Sequence, residues 1–315
     1  MKTLVSLLAL TLAVAFGSTP LRAAEPVTVL LDWFVNPDHA PLIIAKEHGH
    51  FEKAGIAVKL IAPADPNDPP KLVAAGKADL AISYQPQLHL QVAAGLPLRR
   101  IATLVATPLN SLVVLKDGPI KSIADLKGKT VGFSIGGFED AILGRMLEMH
   151  GLKLSDVKLV NVNFSLSPSI LSGNVDGVIG AFRNFELNQM DIVGRPGRAF
   201  YPEENGVPPY DELIVVANTS TLTSPKHEKF LAALDAAMID LVNSPKKGWE
   251  TFIKAHPDLN NELNRRAWDD TLIRFALRPR ALDKGRYERF AKFLVETKLI
   301  KEAKPVAEYA IELRN

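Results

Sequence analysis

Residues 25–61 read EPVTVLLDWFVNPDHAPLIIAKEHGHFEKAGIAVKLI. The β-branched, apolar run from Val27 to Leu31 opens onto Asp32-Trp33 and a Pro-Asp turn, the signature of a buried strand that ends in a loop. Pro41 to Phe51 then places its apolar residues at helical spacing, and Gly55 stops the unit. Ile56 to Ile61 alternates as a second strand. Strand, helix and strand in this order make a βαβ unit, and the pattern runs on through the chain. A proline- and aspartate-rich loop, Pro63 to Pro70, leads to a helical turn at Lys71–Gly76 and a short buried strand at Ala78–Ser83. Gln87–Ala94 reads as helix and Leu98–Val105 as strand. The alternation continues through Thr130–Ser134, Phe138–His150, Val157–Val160, Pro168–Ser172 and Val175–Ile179.

Such alternation predicts an α/β protein with mostly parallel sheets covered by helices. From Ser224 onward the periodicity becomes helical throughout: Phe230–Val242, Lys246–Ala255, Asn260–Phe275 and Arg286–Thr297. Two features repeat between the halves. A strand runs into a polar or glycine-containing loop at Leu31-Asp32-Trp33 and again at Phe133-Ser134-Ile135-Gly136-Gly137. A glycine and an aspartate precede a buried strand at Gly76-Lys77-Ala78-Asp79 and at Gly173-Asn174-Val175-Asp176. Two similar lobes are the expectation, although a glycine C-cap before a buried strand recurs in many α/β folds.

At 315 residues, with 47% hydrophobic and 23% charged, the chain can bury an ordinary globular core. It contains no cysteine, which removes disulfides, thiolate metal sites, a cysteine nucleophile and a lipid-modified N-terminal cysteine. Residues 1–24 have the layout of a cleavable secretory leader: Lys2, an apolar run from Leu4 to Phe16, then small and polar residues, with cleavage expected after Ala23 or Ala24. That run is shorter than the ~20 residues needed to cross a bilayer. The formal charge of +2 leaves with the leader, because Lys2 and Arg22 are its only charged residues. No basic cluster with interleaved aromatics follows, so nucleic-acid binding is not expected. The reading is of an exported, periplasmic, monomeric protein with no membrane insertion of the mature chain.

Six segments, in order, carry a family resemblance: LDWFVNPDHAPLIIAKEHGHFEKAGI (31–56), GKADLAISYQPQL (76–88), AAGLPLRRIATLV (93–105), IADLKGKTVGF (123–133), VDGVIGAF (175–182) and HPDLNNELN (256–264). Together the chain resembles the NMT1/THI5-like periplasmic solute-binding proteins of ABC importers, and within them the branch that binds pyrimidine precursors of thiamine. The resemblance implies a type II-like, two-lobed binding protein that closes on a small heterocycle and hands it to a permease. It implies lobe one at 25–110 plus 216–315 and lobe two at 111–215, with hinge crossings near Thr107–Val114 and Leu213–Asn218. The same family includes a eukaryotic synthase of the thiamine pyrimidine that uses pyridoxal phosphate. Its cofactor lysine and sacrificial histidine fall here on Ser83 and Gln87; His89 is two residues off register, and the cysteine motif is missing. These departures favour a binding protein without catalytic residues or cofactor.

Ligands of open α/β sheets sit beyond the carboxyl ends of strands, which directs attention to the loops after Leu31, Ile82, Val105, Phe133 and Ile179. A flat heteroaromatic ligand needs an aromatic face and a few polar groups at its edge. The candidates are Asp32, Trp33, Asn36 and His39 after the first strand; Ser83, Tyr84 and Gln85 after the GKADLAIS strand; and Ser134, Gly136, Gly137 and Phe138, whose loop offers backbone N–H groups at a helix start. Glu186 is the favoured recognition residue, since a carboxylate can pair with a ring nitrogen and an adjacent amino group. The competing reading makes it a helix charge paired with Arg183. Phe182, Asn184 and Asn188 are secondary, and Asn110 shapes the first hinge. No metal site is expected: His48 and His50, two apart on a helix, point to different sides. Riboflavin, sulfonate or nitrate remain alternative ligands.

Overall fold

The computed structural model describes residues 24–313. The segment read as a leader lies outside the described residues, apart from Ala24. Among the described residues there are ten strands: β1 (Glu25–Leu30), β2 (Ile56–Ile61), β3 (Leu80–Ser83), β4 (Leu98–Val105), β5 (Asn110–Leu115), β6 (Thr130–Phe133), β7 (Lys158–Asn161), β8 (Gly177–Phe182), β9 (Gly197–Phe200) and β10 (Leu213–Asn218). They form two five-stranded sheets, ordered β2-β1-β3-β10-β4 and β7-β6-β8-β5-β9.

In each sheet four strands run one way and one runs against them: β10 in the first, β5 in the second. The reversed strand is in each case the one laid down directly after the chain changes sheets. The crossings are residues 106–109 and 201–212, and neither contains a crossover helix that would bring the next strand back parallel. The mostly parallel expectation therefore holds for four strands of five, and the sheets are mixed.

Helices flank both sheets: α1 (Ala40–Glu47), α2 (His50–Lys53), α3 (Pro69–Ala74), α4 (Gln85–Ala93), α5 (Glu139–Met149), α6 (Leu166–Leu171), α7 (Glu186–Ile192), α8 (Pro225–Asn243), α9 (Pro245–Ala255), α10 (Glu262–Leu272) and α11 (Lys284–Glu296). The single helix expected over Pro41–Phe51 is two. Gly49, at φ +71°, ends α1 in a left-handed turn and α2 restarts at once. Helices α8 and α9 pack on α1 and α2 of the first-sheet side, where Phe230 of α8 stacks on Phe51 of α2 with ring centroids 5.4 Å apart. Trp249, Phe252 and Trp268 form an aromatic knot among α9 and α10. Arg100, fully buried in β4, donates to the carbonyls of Pro279, Arg280, Ala281 and Ile311, which ties the C-terminal segment to the sheet. Among the described residues no helix is long and apolar enough to cross a membrane.

Candidate ligand-binding site

The loops after β1, β3, β6 and β8, two from each sheet, meet in a slot of about 450 Å³, its open mouth included. The first sheet supplies Asp32, Trp33, Asn36, Asp38 and Tyr84. The second supplies Ile135, Phe138, Glu139, Gly180, Phe182, Phe185 and Glu186 among its wall. Among the described residues no lysine or arginine lines it.

The floor on the first-sheet side is a buried relay. Asn36 caps the turn after Trp33: its Oδ1 accepts from the Asp38 N–H at 2.8 Å, and its own N–H donates to His39 Nδ1 at 3.3 Å. That bond fixes the imidazole tautomer, so Nε2–H donates to Asp32 Oδ1 at 2.9 Å. The other Asp32 oxygen accepts from the Tyr84 hydroxyl at 2.8 Å. His39 thus stands behind the wall and orients Asp32. Tyr84 in turn stacks on Phe138 of the opposite sheet, centroids 5.2 Å apart and planes at 26°. Two rings already in contact leave no room for a third, so they do not sandwich a ligand between them in this arrangement. At the mouth, Trp33 and Phe34 both pack against Phe164, with centroids 4.6 Å apart in each pair.

Three carboxyls face this slot without a basic partner. Glu186, the first residue of α7, accepts the Phe182 N–H at 2.6 Å. Its expected partner Arg183 instead grips Glu203 through two bonds of 2.6 and 3.0 Å. Asp38 accepts from Asn184 Nδ2 and Thr271 Oγ1 at 2.7 and 2.8 Å, the first of these joining the two sheets' loops. Glu139 folds back over the start of α5, and its Oε2 accepts the N–H groups of Ser134 and Ile135 at 2.7 and 3.1 Å. Burial raises all three, Asp38 to about 6, Glu186 to about 7 and Glu139 to about 8, despite the bonds that favour the ionised form.

The remaining candidates lie outside the lining. The Ser83 hydroxyl donates to Gln87 at 2.9 Å, and Gln85 accepts the Asp211 N–H at 2.8 Å. The 134–137 loop does not offer a free anion cradle. Its first two N–H groups are spent on Glu139, the Gly136 N–H donates to Asn67 Oδ1 at 3.1 Å, and the Ser134 hydroxyl donates to Asn163 O. Gly136 and Gly137 border a separate groove with Lys71 and Gln91. Asn67, from the proline- and aspartate-rich 63–70 loop, thus bridges to the second sheet. Asp38, Glu139 and Gly180 were missed. A glycine inside the strand pattern GVIGAF is itself a sign of close approach, and an acidic residue in the first helical turn after a glycine loop is a sign of fold-back capping.

Raised carboxyls make a pH prediction. Between pH 6.5 and 8.5 the unfolded chain has already released these protons, while the native chain still holds part of those on Glu139, Glu186 and the similarly buried Glu212, raised to about 7. Stability must therefore fall as pH rises through this window. The loss should be of the order of a few kcal/mol, which lowers Tm by several degrees. A Tm that is flat or rising from pH 6.5 to 8.5 in ligand-free protein would contradict it.

A profile of the NMT1/THI5 like family matches residues 36–248. The chain belongs to that family. A Haemophilus influenzae relative, named for thiamine biosynthesis, is 54% identical over 295 residues, 93% of this chain and 94% of its own. The formylaminopyrimidine-binding protein of Halalkalibacterium halodurans is 39% identical over 197 residues, covering 62% of this chain and 60% of that one. More distant is a Schizosaccharomyces pombe 4-amino-5-hydroxymethyl-2-methylpyrimidine phosphate synthase, 26% identical over 81% of this chain and 76% of its own. In fold, this NMT1/THI5-like chain matches the alkanesulfonate-binding protein of Xanthomonas axonopodis pv. citri. The TM-score is 0.71 at 17% identity, covering 91% of this chain and 99% of the other. The architecture is that of periplasmic binding proteins.

Proposed function

We propose that this chain is the extracytoplasmic solute-binding component of an ABC importer, and that its slot captures a thiamine-precursor pyrimidine of the formylaminopyrimidine kind. The observation that carries this reading is the slot's chemistry: buried carboxyls, aromatic walls and no cation. An aminopyrimidine protonated at one ring nitrogen offers two parallel N–H donors, which one carboxylate accepts side by side. Glu186 supplies that carboxylate, with Asp38 beside it for a further donor. Sulfonate or nitrate would face three uncompensated acids. The lobes follow the two sheets, with hinge bending in 106–109 and 201–212 opening the slot. In this reading residues 1–24 are a leader for export, and the mature protein works as a periplasmic monomer that docks on a permease.

Thermal-shift titration with formylaminopyrimidine, thiamine, riboflavin, an alkanesulfonate and nitrate tests this. Formylaminopyrimidine should raise Tm by several degrees, and the anions should not. Stabilisation by an anion alone, or by no heterocycle, would overturn the reading. A synthase reading is disfavoured because its cofactor-lysine position is Ser83, whose hydroxyl is buried against Gln87. Added pyridoxal phosphate should produce no Schiff-base absorbance.

A further inference from the structure

Far from the slot, three potential metal ligands converge on the outer face of the first-sheet side. Gly49 is the residue that brings them together. In a continuous helix His48 and His50 would diverge, as expected from their spacing. The left-handed turn at Gly49 swings the two rings to one side instead, with centroids 6.0 Å apart. There His48 Nδ1 and His50 Nε2 each lie 2.7 Å from the same oxygen, Oδ2 of Asp240 in the last turn of α8. All three side chains are partly open to solvent.

We infer that His48, His50 and Asp240 form a binding site for one divalent transition-metal ion of the Zn²⁺ class. Two imidazoles and a carboxylate are the donor set such an ion takes, with a fourth position left to water. The ligand atoms lie within 4.8 Å of one another. Tetrahedral coordination with metal–ligand distances of about 2.0–2.2 Å separates neighbouring ligand atoms by roughly 3.3 Å. Each nitrogen would retreat about half an ångström from Asp240 Oδ2, and the two nitrogens, which lie within 4.8 Å of each other, would settle at the same tetrahedral spacing by side-chain rotation. A second shell is already in place: Thr251 Oγ1 lies 3.2 Å from His48 Nε2. When Nε2–H donates to that hydroxyl, the Nδ1 lone pair is presented to the metal. The metal would clamp the α1–α2 elbow to α8, segments about 190 positions apart in sequence, and so stabilise the native state alone.

The test uses the protein without an affinity tag, treated with a chelator and then titrated with ZnCl₂ and, separately, CoCl₂. One equivalent should bind, Tm should rise with metal concentration, and Co²⁺ should give visible bands of four- or five-coordinate geometry. His48→Gln, His50→Gln and Asp240→Asn should each weaken Zn²⁺ by about tenfold or more, whereas His150→Gln, on the other sheet's side, should change nothing. Absence of saturable binding, or equal affinity in the three ligand variants, would overturn the inference. Should a variant fold poorly, anomalous scattering at the zinc edge from wild-type crystals decides. A peak among the three side chains supports the site, and a peak elsewhere or none refutes it. None of these readouts depends on which solute the slot binds.

Discussion

Glu186→Gln should weaken formylaminopyrimidine by about a hundredfold, roughly 2.7 kcal/mol, while leaving the protein folded and its Tm unchanged or higher. The reasoning separates two roles of one side chain. Structurally, Glu186 accepts the Phe182 N–H, and a glutamine carbonyl can do the same. Burial without a basic partner lifts its pKa to about 7, so removing the charge relieves a cost in the empty protein. Toward the ligand the exchange is not neutral. A carboxylate accepts from both a protonated ring nitrogen and the neighbouring amino group, but glutamine presents one acceptor and one donor, which puts an N–H against an N–H. Losing one charge-assisted bond and gaining a repulsive contact in a buried slot costs a few kcal/mol. Affinity for an alkanesulfonate, if measurable, should rise or stay constant. Isothermal titration with both ligands checks this; an aminopyrimidine Kd within about threefold of wild type would show that Glu186 is not the partner. Asp38, which keeps an acceptor oxygen beyond its bonds to Asn184 and Thr271, would then be the residue to replace.

Why Glu186 was legible and Glu139 was not is a matter of range. The strand-then-loop grammar of LDWFVNPDH and GVIGAFRNFE places Asp32, Trp33 and Glu186 at strand ends from sequence alone, because the alternation of apolar residues reports which chain ends face a sheet edge. It cannot report long-range pairing. His39 reads as a ligand candidate or as a helix-start residue, and only the fold shows it bound to Asp32, with Asn36 setting its tautomer. Tyr84 and Phe138 read as two possible stacking walls, yet they come from opposite sheets and stack on each other. The 134–137 loop reads as an anion cradle by its glycines, but its first two N–H groups are already taken by the Glu139 carboxyl. The elbow at Gly49 failed in the same way: helical spacing predicts that His48 and His50 diverge, and one positive φ reverses the answer. β9, a short half-buried edge strand, has no hydrophobic alternation to announce it.

Gly180→Ala should be the most damaging single methyl that can be added to the slot, because it acts on backbone and carboxylate at once. Gly180 sits in β8 at φ +100°, a conformation that costs an alanine about 1–2 kcal/mol. Its Cβ would lie 2.6 Å from the Glu139 carboxyl carbon, well inside contact distance, so the side chain must move. Movement breaks the bonds from Ser134 and Ile135 and leaves buried N–H groups unpaired, at roughly 1–3 kcal/mol each. The total is about 3 kcal/mol or more, a Tm loss of roughly 10 °C for a chain of this size. Glu139 and Gly180 both line the slot, so ligand affinity should fall as well. The mechanism predicts coupling. In a Glu139→Ala background the N–H bonds are already gone and the space is free, so adding Gly180→Ala should cost only the backbone term, about 1–2 kcal/mol. Equal costs of Gly180→Ala in the two backgrounds would show that strain at φ +100°, and not the packed carboxylate, is what requires glycine there.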